Sequence, residues 1–186
     1  MSASIVALQP LSLIISVGPN PALQRVLRFD APVAAGGVHR AASLTQYVGG
    51  KGQGMALALQ RWSPSESHAC ASFLGGDTGT FCEASLRAAG LDLITQHVSA
   101  PTRICTTLLA PASAGAAPVA TELIDPSGAV SEAEVEALAS AVLARAPAAA
   151  AIALCGTMPP GAHTLYERLA KGLENLAEVP TPPPPP

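Results

Sequence analysis

The chain has 186 residues, 49% of them hydrophobic and only 12% charged, with a formal net charge of -3. That length suffices for one domain with its own core, and the composition excludes a disordered chain. The slight negative balance argues against a nucleic-acid or anionic-membrane surface, which leaves a small molecule as the expected partner.

The apolar run from Leu11 to Val17 follows no basic residue and is too short to span a bilayer. It is read as a first strand, and the cytoplasm as the expected compartment. Its end, Gly18-Pro19-Asn20-Pro21, is a turn that sets polar groups at a strand's carboxyl end, where open α/β sheets bind ligands. Arg25 to Phe29 alternates polar and apolar residues, as does Val38 to Tyr47, with Pro32 to Gly37 between them. Both read as half-exposed antiparallel strands. They lead into Gly49-Gly50-Lys51-Gly52-Gln53-Gly54, where four glycines in six residues suit neither helix nor strand and imply a tight turn. Helix-forming residues then run from Met55 to Trp62, until Ser63-Pro64 stops them. A helix start carries unpaired N–H groups and a positive dipole end, and Lys51 adds a full charge, so an anionic or hydroxyl-rich ligand is favoured there. The stretch is not a P-loop, because Gly52 follows Lys51 where a P-loop needs Ser or Thr. On the loop alone, a strand-to-helix turn with no ligand is an equal alternative.

Ala69 to Leu74 reads as a second buried strand ended by Gly75-Gly76-Asp77, and Thr78 to Ala89 as a helix stopped by Gly90, with Asp77 as its N-cap. Repeated strand, turn and helix signify a parallel sheet covered by helices. Leu93 to Val98, Ile104 to Ala110 and Val119 to Ile124 supply further strands, some of them joining the half-exposed set. Ser131-Glu132-Ala133-Glu134 is a capping box opening a helix that runs to about Arg145. Ala150 to Cys155 is the next buried strand, Gly156 to Gly161 the turn after it, and Thr164 to Leu176 a last helix. The end, Pro182 to Pro186, is expected to be extended polyproline. As a ligand for a proline-binding domain it is weaker than as a low-complexity end. The four cysteines, Cys70, Cys82, Cys105 and Cys155, fit neither a metal spacing nor a disulfide framework. Three lie in apolar strand-like runs, so small buried residues in a reducing compartment are expected. The four histidines are equally scattered, and no metal site is expected.

Taken together these motifs resemble the PfkB family of ribokinase-like carbohydrate kinases, in its 1-phosphofructokinase and tagatose-6-phosphate kinase branch. The resemblance runs through Asn20-Pro21-Ala22-Leu23, Gly49-Gly50-Lys51-Gly52 and Phe73-Leu74-Gly75-Gly76-Asp77-Thr78-Gly79. It continues in Thr102-Arg103-Ile104-Cys105, Thr121-Glu122-Leu123, the Ser131 helix start and Gly156-Thr157-Met158-Pro159-Pro160-Gly161. It implies an α/β, ribokinase-like doubly wound sheet, of which residues 1–179 are the N-terminal part, before a proline-rich tail at 180–186. A small β-sheet lid, from about 24–47 and 93–124, would cover the site and can make a homodimer. The implied reaction is ATP-dependent phosphorylation of a fructose-phosphate-like sugar phosphate, with Mg2+.

Of the implied substrate-binding residues, Gly49, Gly50 and Lys51 cradle the sugar phosphate, Arg103 reaches over it from the lid, and Thr157 is a small hydroxyl residue near the sugar. Gln24 stands where related kinases usually have Asp, and Gly54 where they commonly have Asn, so two partners for sugar hydroxyls are changed. The family's catalytic Gly-Ala-Gly-Asp motif is absent, and with it most of the nucleotide site. Asp77 mimics that motif without being its base. The resemblance therefore implies a truncated kinase with no catalytic residue of its own and little activity. The alternative is a non-catalytic sugar-phosphate-binding or dimerising module.

Overall fold

In the computed structural model, which describes residues 13–177, the β-branched run Leu13–Val17 forms β1 at the centre of a parallel sheet. The remaining elements follow as β2 (Ala22–Arg28), β3 (Ser43–Gly49), α1 (Lys51–Trp62), β4 (His68–Leu74), α2 (Gly76–Ala88) and β5 (Asp92–His97). Then come β6 (Ile104–Pro111), β7 (Pro118–Ile124), α3 (Glu132–Arg145), β8 (Ala149–Leu154) and α4 (Leu165–Ala177). Leu11 and Ser12, expected in the first strand, and the proline tail lie outside the described residues.

The main sheet has the order β5-β4-β1-β8, with every pair parallel. Parallel strands need helical crossovers, so helices cover both faces and β4 is buried along its whole length. On one face Ile15 and Val17 pack with Val135, Leu138 and Val142 of α3 and Leu165 and Leu169 of α4. On the other, Cys70 and Leu74 pack with Ala56 of α1, Cys82 and Leu86 of α2, and Leu23 and Val48 from the second sheet. This is the expected doubly wound α/β arrangement. The second sheet, β3-β2-β6-β7, is the lid.

Four details of the sequence reading are corrected. The stretch 93–98 is not lid: β5 pairs in parallel with β4, and Ile94 is buried in the main core. The lid is not wholly antiparallel, because β2 and β6 pair in parallel from Leu23↔Ile104 to Arg28↔Leu109. Period-2 alternation gives a strand's faces and not its neighbour's direction, and β6 returns to β2 only after β3, α1, β4, α2 and β5 have intervened. The third concerns α1, which begins at Lys51, so Gly52 and Gly54 lie inside it. Finally, Asp77 is not an N-cap: Gly75 holds that position and Asp77 stands exposed in the first turn of α2. There its charge suits the positive end of the helix dipole. The capping box forms as read, with the Ser131 amide donating to Glu134 Oε2 at 2.6 Å and the Glu134 amide to Ser131 Oγ at 3.3 Å.

Candidate functional site

β1 and β8 are neighbours, while the chain leaves β1 for β4 on its other side. The carboxyl ends of β1 and β8 therefore flank the switch point of the sheet, where crossovers depart in opposite directions and leave a crevice. The lid closes over this crevice. Its lining comes from Gly18, Asn20 and Ala22 after β1, Gln24 on β2, the turn from β3 into α1, Arg103 and Cys105 at β6, and Cys155 to Thr157 after β8.

Of the residues expected at a substrate site, Gln24, Gly49, Gly50, Lys51, Arg103 and Thr157 all line this one cleft, whereas Gly54 does not. Gly54 is an exposed position one helical turn inside α1, and its amide donates to the Gly50 carbonyl at 2.9 Å. The turn itself is shaped by two close approaches. Gly50 has φ +127, which side-chain-bearing residues rarely adopt. A Cβ at Gly52 would lie 2.5 Å from the Cα of Gly18, so the start of α1 can only sit on the end of β1 if position 52 is glycine.

Between them Gln53 is wedged, almost fully buried, its Nε2 donating to the Gly18 carbonyl at 2.8 Å and to Ser72 Oγ at 2.7 Å. These bonds pin the helix start over the sheet. No side chain caps α1 and no acidic residue occupies its first turn, so its first N–H groups and dipole face the cleft uncompensated. Lys51 is exposed beside them. Arg103 reaches in from the lid side, donating from Nη2 to the Asn20 carbonyl at 3.4 Å.

No carboxylate belongs to the lining of this cleft. Arg103 also borders two neighbouring hollows, but neither has a second cation and one of them carries Asp125. Electrostatically, the Lys51 cleft is the place for an anion.

Asn20 is the polar hub that sequence reasoning left out of the site. Its Nδ2 donates to Thr157 Oγ1 at 3.3 Å and its Oδ1 accepts from Ser127 Oγ at 3.0 Å, so three loops meet on one amide. Its position in the turn after the first strand was the available signal. Gln24 donates from Nε2 to Thr107 Oγ1 at 2.8 Å within the lid. Tyr166 of α4 steadies the loop after β8 by donating to the Cys155 carbonyl at 2.7 Å, and burial pushes its phenol up to about 12. The expectation of buried cysteines holds for Cys70 and Cys82, whose thiols burial raises to about 11. It fails for Cys105 and Cys155, which are only half-buried and line the cleft.

The pfkB family of carbohydrate kinases matches residues 21–181 of this sequence. The chain belongs to that family. Among curated relatives, a 1-phosphofructokinase of Haloferax volcanii is 40% identical over 101 residues, which are 53% of this chain and 32% of that protein. Two solved structures share the fold. Phosphofructokinase-2 from Escherichia coli in complex with substrates and products aligns with TM-score 0.75 at 20% identity, over 88% of this chain and 51% of its own. Ribokinase from Giardia lamblia aligns with TM-score 0.70 at 20% identity, over 89% and 52%. The chain thus spans about half the length of these two solved structures. Among the described residues no helix is long and apolar enough to cross a membrane.

Proposed function

We propose that this chain forms the sugar-phosphate half of an ATP-dependent kinase acting on a fructose-phosphate-like substrate. The observation that carries the reading is one cleft bearing Lys51, Arg103 and an uncapped helix N-terminus, with no carboxylate in its lining. A phosphate there meets two full positive charges and several N–H donors. Asn20, Gln24 and Thr157 offer the polar atoms that sugar hydroxyls need.

The same lining explains why the chain by itself is expected to be a poor catalyst. Phosphoryl transfer to a hydroxyl needs a base to accept its proton, worth roughly 10²–10⁴ in rate. No lining residue is a carboxylate, and Asp77 lies exposed on α2 outside the cleft. ATP with Mg2+ is the expected phosphoryl donor, and among the described residues we assign none to hold either.

Calorimetric titration with fructose 1-phosphate, fructose 6-phosphate and tagatose 6-phosphate tests the reading, with fructose as the neutral control. Binding of a sugar phosphate but not of fructose is the expected result; equal binding of both would remove the anion site. ADP release in MgATP should stay at background, and turnover abolished by Asp77→Asn would make that aspartate the base after all.

A second reading, a non-catalytic module that dimerises through the lid, is favoured by the lid's exposed apolar residues. Tyr47 and Ile124 lie in the same cross-strand row as Gln24 and Cys105, and are 50% and 58% exposed. A monomer by light scattering would count against it, and sugar-phosphate binding indifferent to ATP would favour it.

A further inference from the structure

Cys105 and Cys155 reach the cleft from different sheets. Cys105 lies on β6, level with Gln24 in the parallel ladder of the lid. Cys155 lies just past β8, its amide bonded to the Val17 carbonyl at 2.8 Å and its Sγ 3.5 Å from Met55 Sδ. Both thiols are partly accessible, whereas Cys70 and Cys82 are sealed in the core. The cleft lining they share carries Lys51 and Arg103 and no carboxylate, while Asp125 and Glu122 stand near Cys105 outside that lining. A cleft of that charge concentrates small anions, including anions that carry a disulfide.

We infer that the cleft is a thiol-modification site, at which Cys105 and Cys155 exchange with a small anionic disulfide of the glutathione class and so close the cleft to its ligand. The closure half of this inference rests on the sugar-phosphate reading; the modification half does not. In the exchange a cysteine thiol loses its proton, and its thiolate Sγ attacks one sulfur of the disulfide. The old S–S bond breaks, a bond forms between Sγ and the attacked sulfur, and the released thiolate takes up a proton. The disulfide is the oxidant, and no other co-reactant is needed. Burial holds both thiols above their ordinary range; at Cys105 the charge of Arg103 partly offsets it, while the carboxylates of Asp125 and Glu122 add to it, so exchange quickens as pH rises.

The test treats the folded chain with glutathione disulfide or with neutral hydroxyethyl disulfide and locates the adducts by peptide mass. Each rate is divided by the rate for the same reagent on the urea-unfolded chain, where all four cysteines are open. Adducts confined to Cys105 and Cys155 are expected, with a normalised advantage of roughly tenfold for the anionic reagent. That advantage should vanish in Arg103→Ala or Lys51→Ala, and the adducts in the double variant Cys105→Ser/Cys155→Ser. Adducts on Cys70 or Cys82 of the folded chain, or equal normalised rates for the two reagents, would overturn the site. An adduct-bearing chain that binds fructose 6-phosphate as well as the untreated chain would overturn the closure. If the untreated chain binds no sugar phosphate, the proposed function fails, while the adduct pattern still decides the modification.

Discussion

At the scale of single residues, the cleft is made by backbone proximity first and by charge second. Gly52 lets α1 start directly on the end of β1, and the contacts that forbid a side chain there are to backbone atoms of Val17 and Gly18, which have little freedom to yield. Gly52→Ala should therefore cost about 1–3 kcal/mol of stability, read from urea unfolding, whereas a substitution at Gly54, which faces open space, is cheap. The charges act on the ligand and not on the fold. Lys51 is exposed, without an ion-pair partner among the described residues, so Lys51→Ala should leave the unfolding midpoint unchanged. Sugar-phosphate affinity should drop roughly ten- to hundredfold, as expected for loss of a charge-assisted hydrogen bond. Calorimetry on the variant checks both halves.

Elements are tied together by polar contacts that sequence shows only in part. The capping box of α3 is local, four residues from end to end, and was legible for that reason. The tie between α2 and β5 is not local. Glu83 accepts from His97 Nε2 and Arg87 Nη2, each at 2.8 Å, and the bond from His97, followed by that from Arg87, holds its carboxyl below the ordinary 4.5. A carboxylate depressed in the folded state stabilises it above the ordinary value, and that contribution disappears as pH falls through the folded value. Glu83→Gln should thus lower stability at neutral pH, with the gap to the parent closing well below 4.5. Urea unfolding at two pH values measures it, and a gap that does not narrow in acid would show that the charge plays no part.

For the whole molecule, stability resides in two apolar layers on either side of β1. Leu138 is 0% exposed between the sheet and α4, and Leu138→Ala should cost about 2–5 kcal/mol. Trp62, the larger residue, is 87% exposed at the end of α1, and Trp62→Ala should change stability by no more than about 0.5 kcal/mol. Thermal or chemical unfolding of the pair separates burial from size.

The sequence by itself determined where most strands and helices lie, that a parallel sheet is covered by helices, and where the anion-favouring turn lies. All of these are written in local patterns: apolar runs, capping residues and glycine clusters act within a few residues of chain. The resemblance to the PfkB family picked out six of the residues that meet in one cleft, and they meet because those motif residues stand at strand and helix ends, where the carboxyl ends of an open parallel sheet converge. Only the tertiary structure decided that β5 belongs to the main sheet, that β2 and β6 run in parallel, and that Asn20 ties three loops together. It alone showed that Gly54 falls outside the cleft while Cys105 and Cys155 fall within it. A strand's pattern records which of its faces is apolar, not which strand lies beside it, so pairings across some 80 residues, and side chains delivered to one crevice from two sheets, exist only once the chain has closed on itself.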